Sequence, residues 1–173
     1  IPADRFKDCI YGQFVYDVRP TKAEPNRTRL IVGGDRINYP EDVGTPAADM
    51  LLVKLLFNSV ISSDGARFMT GDVKNFYLNT LLKRYEYVRL KLEDIPEEVI
   101  EEYKLREKAT SEGYVYLEIR KGRYGLPQAG LLAQQLLEGR LAKHGYMQSE
   151  LIPGFWTHKW RLIQFTLVGD DFG

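Results

Sequence analysis

Two adjacent carboxylates, Asp170 and Asp171, sit between Gly169 and Gly173 and follow the strand-like run Leu162–Val168. Apolar residues leading into a glycine-flanked acidic pair read as a β-hairpin tip that carries negative charge, with its second strand missing from the chain. Neighbouring aspartates repel, and both remain ionised comfortably where water or a cation neutralises them. The plain reading is a solvated Asp-Asp turn. A second acidic strand end shifts the balance: the run Phe68-Met69-Thr70-Gly71 reaches Asp72 and continues into Val73-Lys74-Asn75-Phe76-Tyr77-Leu78. Asp72, Asp170 and Asp171 are therefore candidates for one cluster. Oxygen ligands suit hard cations such as magnesium, which often bind through a couple of carboxylates plus substrate phosphates. A softer metal is poorly served, because the only cysteine is Cys9 and the only histidines are His144 and His158.

The elements that must position these groups follow from periodicity. Gln13–Arg19 alternates apolar and polar residues, Pro20–Asn26 supplies a turn, and Arg27–Val32 resumes a strand pattern, giving a β-hairpin with basic side chains on one strand. That hairpin is either a flap over phosphates or a charged edge strand protected against aggregation. Thr45-Pro46 predicts a helix start, after which Ala48, Leu51, Leu52, Leu55, Leu56 and Val60 recur at helical spacing. Arg84–Leu92 alternates as a strand with Tyr85, Tyr87, Arg89 and Lys91 on one face, available for packing or for stacking on bases. Pro96 predicts an amphipathic helix to about Lys108 with a solvent-facing acidic side. Gly113–Arg120 reads as a strand leading into Lys121–Gly130, where glycines, a proline and an amide suggest either close approach of backbone to another group or a strand-to-helix connection. Leu131–Leu141 marks a helix stopped near His144-Gly145, with His144 as a capping residue. Phe155, Trp156 and Trp160 are assigned to a strand ahead of the acidic hairpin, as core or sheet residues.

A chain of 173 residues, 44% hydrophobic and 28% charged, has enough apolar side chains for a sizeable core. No apolar run reaches membrane-span length, and one cysteine forms no internal disulfide. Beginning at Ile1 without Met and ending in a hairpin, the sequence reads as an excerpt of a longer polypeptide. Net charge is zero, so no global field favours a polyanion, but charge is sorted locally. Between Arg19 and Arg36 five cations face two acids, a net of +3, and between Lys91 and Arg106 three cations face six acids, a net of −3.

The order of these features resembles the fingers and palm of reverse transcriptases. Asp72–Asn79 (DVKNFYLN) looks like the first catalytic segment of the copia-type retrotransposon branch. Lys121–Ala129 (KGRYGLPQA) is similar to that branch's tyrosine-glycine-leucine turn and to the leucine-proline-glutamine motif of retroviral relatives, and Lys143–Tyr146 (KHGY) to the end of the following helix. The similarity spans about Arg27 to Gly173. It implies an α+β fold with an antiparallel sheet and helices on one face, truncated after the catalytic hairpin tip. The implied division is 1–44 and 81–124 as fingers and 45–80 and 125–173 as palm.

It further implies an RNA-directed DNA polymerase fragment from a retrotransposon polyprotein. Asp72, Asp170 and Asp171 would be catalytic and would hold two magnesium ions, with manganese as the alternative metal. Tyr77 would select deoxynucleotides, Gln128 and Arg29 would contact the nucleotide, and backbone amides from Val73 to Phe76 would hold phosphates. The implied partners are a primed RNA or DNA template, deoxynucleoside triphosphates and the polyprotein's thumb, connection and RNase H, in a cytoplasmic particle and the nucleus, with no membrane. The family usually places an aromatic and a bulky apolar residue where Val168 and Gly169 stand, and an aromatic pair where Leu131-Leu132 stands. The readings that compete are a decayed inactive copy and a nucleic-acid-binding module without turnover.

Overall fold

In the computed structural model, which describes residues 1–173 except for the side chain of Ala3, the chain is α+β. It divides into two compact units, Ile1–Asp42 with Leu81–Ala129 and Val43–Thr80 with Gly130–Gly173. The third break falls within the first turn of a helix, after Ala129, and not before Gly125.

The first unit is built on strands β1 (Ile10–Val18), β2 (Asn26–Val32), β4 (Leu81–Lys91) and β5 (Tyr114–Lys121), in the order β2-β1-β4-β5. β1 and β2 form the expected hairpin, with Val15 opposite Arg29 and Asp17 opposite Arg27. The sheet is mixed: β1 runs parallel to β4, Tyr11 beside Arg89. Ile10, Val88, Leu90, Val115 and Ile119 are buried on one face. On the other, guanidiniums lie over phenol rings, Arg5 over Tyr87 and Arg120 over Tyr85, so these tyrosines stack within the protein.

The acidic helix is shorter than predicted. α2 covers only Glu97–Glu102, Lys104 is left-handed at φ 50°, and a separate 3-10 turn, Leu105–Lys108, follows. Glu97 and Glu101, and Glu98 and Glu102, stand four residues apart, where like charges repel. The 3-10 turn folds back so that Arg106 donates to Glu97 at 2.6 Å.

In the second unit the sheet order is β3-β9-β8-β7-β6, with every pairing antiparallel. Its strands are β3 (Gly71–Asp72), β6 (Tyr146–Gln148), β7 (Phe155–His158), β8 (Gln164–Val168) and β9 (Asp171–Phe172). Helix α1 runs Met50–Ser62 and not from Pro46. Ala48 N–H donates to Leu167 at 3.1 Å, which keeps the segment before the helix extended, and the cap is Asp49, whose carboxylate accepts from Leu52 at 2.7 Å. Helix α3 (Pro127–Lys143) starts four residues before the leucine pattern, and Gly145 at φ 83° follows its end. Its Leu132 and Ala133 are buried. Leu56 and Val60 of α1, Leu141 of α3, and Tyr146, Phe165 and Phe172 of the sheet line a cavity of about 350 Å³. Trp156 is buried as expected, but Trp160 lies outside β7 in a turn and is 71% exposed, which corrects its assignment to that strand. No helix among the described residues is long and apolar enough to cross a membrane.

Candidate functional site

The acidic hairpin has a second strand, contrary to the expected missing one, though only the two residues Asp171–Phe172 form it. β8 and β9 pair with Leu167 opposite Phe172 and Val168 opposite Asp171, leaving Gly169-Asp170 as a two-residue loop. Gly169 has φ 64° while Asp170 does not have positive φ, the pattern of a type II′ turn, whose first central position belongs to glycine. The turn therefore gives a physical reason for Gly169, where the resemblance led one to expect bulk. A Cβ built on Gly169 meets nothing within 4 Å, so the requirement comes from the backbone and not from crowding.

β3 adds to the outer side of this hairpin, with Gly71 opposite Phe172 and Asp72 directly opposite Asp171. Val73 N–H donates to the Asp170 carbonyl at 3.0 Å. Hydrogen-bonded and non-hydrogen-bonded pairs alternate along an antiparallel ladder, so Asp72 and Asp171 occupy the narrow position where side chains approach most closely. Cβ atoms of such directly opposed residues are about 4.5–5.5 Å apart. Leu167 and Phe172 point to the other, core face, Leu167 being 0% exposed. Asp72 and Asp171 lie on the solvent face, and Asp170 is half-buried in the adjoining turn. Period-two alternation thus separates the carboxylates from the apolar residues beside them.

The loop after Asp72 has a second property. Asn75 is left-handed at φ 58° and Phe76 is right-handed at φ −44°. Consecutive residues of opposite hand turn their N–H groups toward one side and form an anion-binding concavity. Among the described residues no acceptor takes the N–H of Lys74, Asn75 or Phe76. Val73 is different: its N–H is already engaged by Asp170, which corrects its assignment as a phosphate-holding amide. The Phe76 side chain is buried, leaving only its backbone for such a role. Tyr77 opens the 3-10 turn Tyr77–Asn79, half-buried, with its ring 5.4 Å from that of Phe76.

Oxygen donors on an open face suit magnesium, which needs only one or two carboxylates when substrate phosphates supply the rest. Among the described residues, no three acidic, histidine or cysteine side chains are gathered closely enough to hold a metal ion by themselves.

Arg29 and Gln128 belong to the first unit. The Arg29 guanidinium lies over the Tyr124 ring at 5.5 Å, Arg27 donates to the Tyr124 hydroxyl at 3.5 Å, and the Arg29 Nε is buried without an acceptor among the described residues. The close backbone approach suggested by the Tyr-Gly-Leu-Pro-Gln run is internal. Val32 N–H donates to the Tyr124 carbonyl at 3.0 Å, and Gly125, at φ 97°, has the Val32 carbonyl where a side chain would stand. Gln128 is only 1% exposed and donates its amide N–H to Glu86 at 3.0 Å. Nothing in the sequence patterning singled out Glu86; the one available signal was an acid that shares its alternation with Val88 and Leu90.

No protein-family model, no curated protein and no solved structure matches this chain.

Proposed function

We propose that this chain is the fingers and part of the palm of an RNA-directed DNA polymerase of the copia-type retrotransposon branch. The observation that carries the reading is the placement of Asp72 directly opposite Asp171, with Asp170 in the adjoining turn, on the open face of one sheet. Residues 98 or more apart in the chain have no local reason to bring like charges together, and opposed like charges destabilise a ladder unless a cation lies between them.

Asp72, Asp170 and Asp171 would hold magnesium. When bound, magnesium lowers the pKa of a primer hydroxyl and neutralises charge on a transferring phosphoryl group. The carboxylates would share the ions with substrate phosphates, and the amides of Asn75 and Phe76, at the change of hand, would receive phosphate oxygens. Tyr77 follows that concavity and would abut the sugar. Arg29 and Gln128 are assigned to the nucleotide by the resemblance alone.

The test is primer extension on an RNA template by the polyprotein that the resemblance implies. Asp72→Asn and Asp170→Asn are each expected to lower the rate by about 100-fold or more, the scale for removing one electrostatic stabiliser. Extension by both variants at the parent rate would show that these carboxylates do no chemistry.

A further inference from the structure

Apart from Lys54, Asn58, Ser59 and Ser62, every residue of helix α1 is apolar, yet none of them is buried. A helix of that composition is ordinarily enclosed by the rest of its domain. Leu56 and Val60 remain only half-buried because they line the cavity of about 350 Å³ that α1 shares with Leu141 of α3 and the second sheet. The sheet's contribution is aromatic: the Phe165 ring lies 5.7 Å from that of Tyr146 and 5.3 Å from that of Phe172. All of these residues belong to the second unit, and Phe172 points to the face of the sheet opposite Asp72 and Asp171.

Small-molecule sites are concave spaces of about 300–1,000 Å³ with mostly apolar walls and a few polar groups that fix orientation. The polar side chains here are few. Arg67 and Gln164 line the cavity and are exposed, and no acidic side chain lines it. The Arg67 guanidinium makes no ion pair or hydrogen bond among the described residues. Apolar walls are thus joined to one uncommitted positive charge in contact with water. A guanidinium matches a carboxylate with two parallel hydrogen bonds, and one positive charge balances one negative head. A phosphate monoester, at about −1.5 to −2, would leave negative charge unbalanced beside apolar walls.

We propose that the cavity beneath α1 binds a medium-chain fatty carboxylate, its chain against Leu56, Val60 and the aromatic rings of the sheet and its carboxylate on Arg67. Burial of methylenes supplies the affinity, and Arg67 decides which end stays in water. The site does not depend on the polymerase reading, because Asp72 and Asp171 lie on the opposite face of the sheet.

Calorimetric titration of the full chain with octanoate and decanoate, below their micellar concentrations, tests it. Each added methylene is expected to tighten binding about fourfold, so decanoate should bind one per chain and about 15-fold tighter than octanoate. Arg67→Met removes the charge but keeps an apolar stem, and should weaken decanoate about tenfold while leaving 1-decanol unchanged. Val60→Phe occupies the cavity and should abolish binding of both without lowering the thermal midpoint. In the wild-type chain the Leu56 and Leu141 methyl resonances should move on adding decanoate, a readout that requires no variant to fold. Decanoate binding no tighter than octanoate, binding that Arg67→Met or Val60→Phe leaves unchanged, still methyl resonances, or titration without saturation would show adsorption elsewhere and overturn the proposal. Failure of the wild-type chain to bind decanoate overturns it too, and a dimer in sedimentation that Val60→Phe dissociates would then give the cavity to a second copy of the chain.

Discussion

Replacing Asp72 by Asn removes one of two like charges held opposite each other, and the consequence has opposite signs with and without a divalent cation. Two unit charges about 5 Å apart in a water-like dielectric repel by about 0.8 kcal/mol. Both groups are exposed, so salt screening reduces this toward the lower part of the roughly 0.2–1 kcal/mol range of cross-strand pairs. In a chelating buffer Asp72→Asn should therefore melt higher than the wild type, by about 0.5–2 °C for a chain of this size. Magnesium at ten times its dissociation constant should stabilise a chain that binds it by about 1.4 kcal/mol, raising the wild-type midpoint by about 3–5 °C. The variant, lacking one carboxylate, should gain little. Scanning fluorimetry of both chains in chelator and in 10 mM magnesium gives the four midpoints. A lower midpoint for Asp72→Asn in chelator, or the same magnesium response in both chains, would refute the claim that these carboxylates share a cation.

Three further outcomes follow from the packing. Gly154 and Gly169 both have positive φ, but a Cβ on Gly154 meets the backbone of Ala47 and Ala48 while one on Gly169 meets open space. Urea titration should accordingly show Gly154→Ala losing 3 kcal/mol or more, on the order of backbone strain plus displacement, and Gly169→Ala losing about 1–2 kcal/mol from strain alone. Leu167→Ala, at a fully buried position behind the carboxylates, should cost about 2–5 kcal/mol in the same titration. Burial pushes the Cys9 thiol above its ordinary value, with Asp8 adding to the rise and Arg89 opposing it. Because the thiolate is the reactive form, iodoacetamide at pH 8 should alkylate folded Cys9 more slowly than the urea-unfolded chain. Equal rates would contradict that shift.

Much of the local structure was legible because local rules act within a few residues. Alternation from Gln13 onward and the turn residues Pro20–Asn26 produced the β1–β2 hairpin, and Gly145 stops α3 because it adopts a left-handed φ at no steric cost. The misplaced boundaries have longer-range causes. Thr45-Pro46 satisfies a helix-start pattern, but the N–H of Ala48 is taken by Leu167, more than a hundred residues away, and Asp49 caps instead. The acidic helix stops early because its own charges oppose it, a cost that apolar periodicity does not register. Trp160 has the composition of a core residue, but its backbone lies in a turn whose N–H groups bond the His158 ring.

The sequence by itself determined that two acidic strand ends exist and that each follows apolar residues. Only the tertiary structure decided that β3 pairs with β9 in the register that sets Asp72 against Asp171, and that Gln128 lies buried on Glu86. A strand's side-chain period is two wherever it sits, so facing is written locally. Which strand lies beside it, and in what register, depends on the summed packing of residues scattered along the chain, and a shift of one residue would send Asp72 into the core.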